Sequence, residues 1–255
     1  MDNNNNYNWA HKPEFVQQQQ TGVVAKRFFA NVFLWMFIAL GLSTLAAVVM
    51  ANSPAAMDYL IKYDADGNRA GMSILGYVAM FSPLALVLLM SAGLSRLSYP
   101  ALLGIFVAYS VLTGISLSFI LLTYTAGSVV ACFASAAGIF GIMAVLGYTT
   151  ETDLSKFGPI LMVGVIGLVI ASVINMFLGS STFDYIMSFF GVAIFTALTA
   201  YDVQKLKRIG EGIEENGDQV AVADTKKLAI MGALSLYLDF INIFLFLLRI
   251  FGSRK

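Results

Sequence analysis

Three charged residues in this 255-residue chain stand where charge is expensive. Asp202 and Asp239 lie within long apolar runs, and Arg96 closes another. An ionisable group at the centre of a bilayer costs about 2.5 to 3.5 kcal/mol even on lenient insertion scales, so such groups persist where they are paired or face water. Two carboxylates brought together resist double ionisation and bind a proton as one unit, and a guanidinium beside them favours the charged form. Such a triad would work as a proton-sensitive latch between helices, because protonation changes which groups can bond. The same carboxylates and the Asn242 amide are hard oxygen ligands, suited to calcium more than to soft metals. Each residue also has a plainer reading. Asp239 could be a buried hydrogen-bond tie, Asp202 an interfacial acid, and Arg96 a snorkelling anchor at a helix end.

The surrounding composition sets the medium. Hydrophobic residues make up 58% of the chain and charged residues 12%, roughly half the charged share of a soluble domain. Lys+Arg and Asp+Glu both number 15, so no basic excess points to nucleic acid. Apolar runs fall at residues 28–50, 73–94, 101–123, 129–148, 158–178, 185–203 and 228–250. Each is near the roughly 20 residues that cross a bilayer as a helix, and lipid leaves the backbone no other way to satisfy its polar groups. The expectation is an all-α membrane protein with seven transmembrane helices in residues 28–252, preceded by a polar, disordered cytoplasmic tail over 1–27. His11 belongs to that tail. Cys132, the lone cysteine, permits no intrachain disulfide and reads as a small core residue.

Helical spacing refines the two acids. Asp239 follows Lys227 by twelve residues, roughly 18 Å of helix, which places it near mid-membrane. It shares a face with Gly232, Ser235 and Asn242, a polar stripe that should face the bundle interior. Asp202 follows Thr196 and Thr199 on approximately one face, about two turns inside the membrane if its helix runs through Arg208. In the fourth run, Ala134, Ala137, Gly138, Gly141 and Ala144 predict a close-packing face. The Asp64-Ala-Asp-Gly-Asn68 cluster reads as a hydrated turn, because the later glutamate of an EF-hand loop is missing. Residues 208–225 are expected to form the longest and most mobile loop. Ten Lys and Arg fall on the N-terminal side of alternating spans and five on the other, which predicts a cytoplasmic N-terminus. The basic C-terminus would sit on the cytoplasmic side only if the last segment were re-entrant.

Four stretches resemble the Bax inhibitor/YccA-like family in its bacterial branch. Phe195-Thr-Ala-Leu-Thr-Ala-Tyr-Asp-Val-Gln-Lys-Leu-Lys-Arg208 is similar to its sixth-helix signature. Ala233-Leu-Ser-Leu-Tyr-Leu-Asp-Phe-Ile-Asn-Ile-Phe-Leu-Phe-Leu-Leu-Arg249 is similar to its last helix. Leu112-Thr-Gly-Ile-Ser-Leu117 resembles the third-helix element containing Thr113 and Gly114, and Asp153-Leu-Ser-Lys-Phe-Gly158 resembles the loop before the fifth helix. The resemblance implies a seven-helix fold whose last helix is central and surrounded by the other six. It also implies a pH-sensitive calcium leak, suppression of cell death in eukaryotic members, and modulation of a membrane protease in bacterial ones. The family's paired aspartates fall on Asp202 and Asp239, and its second-helix arginine falls on Arg96, counting back from Thr113-Gly114.

The leading expectation is therefore a cation leak in the bacterial inner membrane. Asp202, Asp239 and Arg96 would form its gate, with Asn242, Ser235, Thr199, Thr113 and Gly114 as pore or packing residues. Calcium would be the transported ion, passing Asp202 and Asp239, and no cofactor is expected. The alternative is an interaction protein that regulates a membrane protease or stress machinery without transport. Coupled proton exchange also stays open. An intramembrane protease is disfavoured, because neither a Gly-x-Gly-Asp partner motif nor His-Glu-x-x-His is present.

Overall fold

The structure, a computed structural model, describes residues 22–64, 69–216 and 221–255. Most of the polar tail, with His11, and residues 65–68 of the acidic turn lie outside them. Among the described residues, seven helices are long and apolar enough to cross a membrane. They are α1 (Val23–Ala51), α2 (Ile74–Gly93), α3 (Tyr99–Thr123), α4 (Ala126–Thr149), α5 (Gly158–Leu178), α6 (Ser181–Glu215) and α7 (Val222–Phe251). Small hydroxyl residues start several of them. The side chains of Ser73, Thr125 and Ser180 accept from the N–H groups of Gly76, Ser128 and Phe183, satisfying donors that a helix start leaves free. Gly179, at φ 62°, ends α5 in the left-handed conformation suited to glycine. The α1–α2 connection holds a one-turn helix, Pro54–Met57, and an antiparallel hairpin of β1 (Ile61–Tyr63) and β2 (Arg69–Met72). Ile61 pairs with Met72, and Lys62 with Gly71.

Two boundaries differ from the sequence reading. α6 continues to Glu215 and α7 begins at Val222, so most of the expected loop over 208–225 is helical. The cause is a stripe of Leu206, Gly210 and Ile213, all buried, that continues beyond the apolar run. Gly210 brings this extension against Ala25 and Phe28 of α1. The Glu214 carboxylate then accepts from the N–H groups of Gly22 and Ala25, an anion on the positive end of α1. At the opposite end of the bundle, the C-terminal residues bond to the α3–α4 turn. The Thr125 N–H donates to the Ser253 carbonyl at 3.0 Å, and the Lys255 N–H to the Thr123 carbonyl at 2.9 Å. The last segment is one continuous helix of 30 residues, so it is not re-entrant.

α7 is the most buried of the seven. In its most apolar window 72% of residues are buried, against 6 to 39% for the others. Its principal neighbours are α6, α1, α4 and α3, while α2 packs on α3 and α5 on α6. Four helices thus pack closely on α7, and two lie outside them.

The small-residue face of α4 does not pack as expected. Ala134, Ala137, Gly138 and Gly141 are exposed, and only Ala144 is buried. A Cβ added at Gly138 or Gly141 would meet nothing within 4 Å. α4 buries Cys132, Ala136, Phe140, Ala144 and Gly147 instead, with Gly147 against the Ala200 backbone of α6, and aromatic rings join it to α7. Phe133 stands edge-on to Phe240 and Phe244, and Phe140 edge-on to Phe240, arrangements in which ring edges meet ring faces favourably.

Candidate functional site

The α6–α7 contact is built around two glycines. A Cβ on Gly232 would lie 2.5 Å from Leu206, and one on Gly191 would lie 2.5 Å from the Phe246 ring. Between these close approaches, α7 presents Asp239 toward α6, which carries Asp202. Asp239 is only 4% exposed, and its Oδ2 has no hydrogen-bond partner. Asp202 is half-buried and near enough for its charge to act on Asp239. No hydrogen bond between the two carboxyls is present. The nearest cation acting on Asp202 is Lys205, one turn along α6.

The polar residues along this contact mostly turn inward to their own helices. Thr199 is fully buried and its hydroxyl donates to the Phe195 carbonyl at 2.8 Å. The Asn242 amide donates to the Leu238 carbonyl at 2.8 Å. Ser235 is half-buried. Thr196 Oγ1, one turn before Thr199, is buried without a partner, like Asp239 Oδ2. Two unpartnered oxygens on facing helices are costly in an apolar interior, which sets this seam apart from the rest of the bundle. Among the described residues, no group of three or more His, Cys, Asp or Glu is gathered to hold a metal ion.

Arg96 does not join the acids in this conformation. α2 ends at Gly93, and Arg96 sits in the turn after it, exposed, with its N–H donating to the Gly93 carbonyl at 2.9 Å. No ion pair or side-chain hydrogen bond of Arg96 occurs among the described residues. The sequence reading ran α2 through Leu94, whereas the turn there carries the guanidinium into solvent, where it keeps its hydration.

Thr113 and Gly114 serve a different seam. Gly114 is where α1 and α3 touch, since a Cβ there would lie 2.3 Å from the Ser43 carbonyl oxygen. The Thr113 hydroxyl donates to the Tyr109 carbonyl at 2.8 Å. Beside them is a buried network that sequence reasoning missed. The Ser43 hydroxyl donates to the Ser110 carbonyl at 2.7 Å, so its 2.7 Å contact with the Tyr237 hydroxyl is one it accepts. The Tyr237 ring stands edge-on to Tyr109, with centroids 5.4 Å apart. Tyr237 and Asp239 are two residues apart, roughly 200° around α7. One face of the central helix is therefore tied to α1 and α3, and the other carries the acid toward α6. The usable signal was Tyr237 itself, a polar-tipped ring two residues before the acid in an apolar span.

The end of α6 beyond Asp202 clamps the α4–α5 connection. Gln204 is buried; its Oε1 accepts from the Leu154 N–H and its Nε2 donates to the Thr152 carbonyl, both at 2.8 Å. Replacing Gln204 with alanine leaves both backbone groups unpaired, a local cost of about 1 to 3 kcal/mol. Hydrogen exchange over residues 150–157 should accelerate in that variant while exchange in α7 stays unchanged. Arg208 pairs with Asp153 at 2.6 Å on the surface. The Ser155 hydroxyl and N–H, followed by the Arg208 guanidinium, hold the Asp153 carboxyl down at about 2. A lowered value means that the contribution of this ionised carboxylate is complete above the ordinary range near 3.8 and is lost as pH falls through about 2. Asp153→Asn should therefore leave the midpoint of any pH response between 5 and 8 unmoved, as read from pH titration of flux or thermal unfolding.

Comparison with known proteins places the chain in a family. The family described as inhibitor of apoptosis-promoting Bax1 matches residues 25–255. The inner membrane protein YbhL of Escherichia coli K12 is 41% identical over 244 residues, covering 96% of this chain and 98% of the relative. An uncharacterized protein of Borreliella burgdorferi is 37% identical over 95% of this chain and 98% of its own length. An uncharacterized membrane protein of Streptococcus pyogenes is 36% identical, over 92% and 96%. With seven spanning helices and a family match over nearly its whole length, the chain is a multi-pass membrane protein that belongs to the Bax inhibitor family.

Proposed function

We propose that the protein is a pH-sensitive cation leak, with calcium as the transported ion, gated at the α6–α7 seam by Asp202 and Asp239. The observation that carries this reading is the buried Asp239 carboxyl, with Oδ2 unpartnered, beside Asp202 on the neighbouring helix. Two carboxyls in a low-dielectric seam hold one proton between them, and ionising both sets like charges against each other. Loss of the shared proton drives α7 away from α6 and opens a path lined by hard oxygen ligands that suit calcium. The Lys205 charge acts on Asp202 in this conformation, and Arg96 becomes the counter-charge once α2 moves inward. The name of the Escherichia coli relative supports a place in a bacterial inner membrane, and the Lys and Arg distribution supports a cytoplasmic N-terminus.

The test is calcium release from proteoliposomes, read with an enclosed dye across pH 5 to 8. Release that varies with pH in the parent protein and loses that variation in Asp202→Asn and Asp239→Asn is the expected result. Release no greater than from empty liposomes at every pH would end the proposal.

A further inference from the structure

α1 and α4 are not a packed pair. They meet through rings near one end, where Phe29 lies 4.9 Å from Tyr148 between centroids. Around and beyond a second ring contact, Phe33 with Phe140 at 6.5 Å between centroids, a cleft separates them, made of three cavities of about 390, 560 and 630 Å³ that share lining residues. Its floor is α7, through Phe240, Ile241 and Phe244. Its walls run from Phe29 to Val48 on α1, about 28 Å of helix, close to the roughly 30 Å of a hydrocarbon core. The depth comes from the small face of α4, where Ala137 and Gly141 leave space that larger side chains would fill. The cleft is dry in character. The hydroxyl of Thr44 is already spent on the Leu40 carbonyl at 2.8 Å, so water would lack the two to four polar partners it needs.

The cleft also has one charged mouth. The Lys207 ammonium donates to the Tyr148 carbonyl at 3.0 Å and lies 5.2 Å from the Tyr148 ring centroid. Tyr148 itself lines the cavity at that end. Lys26 is exposed on α1, one turn beyond Phe29 on the same face. A hydrocarbon-facing recess with a cationic, aromatic rim at interface depth matches one chemistry. We propose that the α1–α4 cleft is a binding site for a phospholipid with an anionic headgroup, its acyl chains laid on Phe240 and its phosphate held at Lys207. A recess left empty would forfeit dispersion contacts along its whole lining, and acyl chains are the flexible apolar material at hand in a bilayer. The site gives lipid direct access to the otherwise buried central helix.

The test is native mass spectrometry of the full chain in detergent, with phosphatidylglycerol or phosphatidylcholine of identical acyl chains added. One phosphatidylglycerol should be retained per protein. The Ala137→Leu/Gly141→Leu double variant should lose it by tenfold or more in apparent affinity. Lys207→Gln should still bind lipid but with its preference for phosphatidylglycerol reduced about fivefold, the worth of one lysine near an anionic surface. Lys207 is half-buried and bonds only through its ammonium, to the Tyr148 carbonyl, so this variant keeps the test sound if the double variant folds poorly. Equal retention of the two lipids by the parent protein would overturn the proposal, as would full retention by the folded double variant or an unchanged preference in Lys207→Gln. Displacement of the lipid by inorganic phosphate alone, or a dimer lost on filling the cleft, would assign the site to a free anion or a second copy instead.

Discussion

In Asp239→Asn, calcium release from proteoliposomes is expected to lose its dependence on pH while the protein remains folded. Asparagine keeps the shape of the side chain but can neither ionise nor share a proton. Asp239 makes no hydrogen bond through Oδ2 in the bundle, so little native bonding is forfeited. Removing an uncompensated acid from an apolar interior is neutral or stabilising, and the variant should unfold at or above the temperature of the parent. That combination separates a gate from a structural tie. A structural tie predicts a lower unfolding temperature with an unchanged pH profile. A pH profile identical to the parent's would remove Asp239 from the gate.

Gly114→Ala should be among the most damaging small substitutions in the chain, with Gly147→Ala beside it. The added methyl would lie 2.3 Å from the Ser43 carbonyl oxygen and 2.8 Å from Ser43 Cα. Those atoms are backbone of α1 and cannot swing aside, so α1 and α3 must separate. Separation also stretches the Ser43 bonds to Ser110 and Tyr237. Overpacking of this kind costs typically about 1 to 3 kcal/mol, and here the loss of the network adds to it. Gly104→Ala is the control in the same helix, because a Cβ there meets nothing within 4 Å. It should be neutral or stabilising by roughly 0.5 to 1 kcal/mol. Thermal unfolding of both variants in one detergent decides the matter, and equal midpoints would refute the close-contact role of Gly114.

The seven spans were legible because membrane crossing is a matter of apolar length, and the acids because charge in such a span is costly. Other features depended on partners that periodicity cannot name. The extension of α6 to Glu215 rests on Gly210 meeting Phe28 and Ala25, nearly two hundred residues earlier in the chain. The Ser43–Tyr237 bond joins two common residue types, and Ser43 could have satisfied itself by donating to a carbonyl of its own helix. The α4 face was misread for the same reason. Ala137 and Gly141 permit close approach, but it is Gly147 that meets Ala200 of α6, while Phe133 and Phe140 face the rings of α7. Arg96 shows the limit of counting along a chain. A turn at Gly93 redirects its side chain, although its distance in sequence from Thr113 is unchanged.

The most buried helix is also the last to be synthesised. Ser43 precedes its partner Tyr237 by 194 residues, and at about 5 to 20 residues per second the ribosome needs roughly 10 to 40 seconds to cover that stretch. Through that interval α1 to α6 enter the bilayer with no α7 to pack on, and Ser43, Phe140 and Leu206 lack their contacts with it. Biogenesis therefore places a nascent six-helix intermediate in the membrane, holding an apolar gap that lipid or an insertion factor must occupy until α7 arrives. A chain ended before residue 222 and released into the membrane should be inserted yet sensitive to protease, whereas the full chain should be resistant.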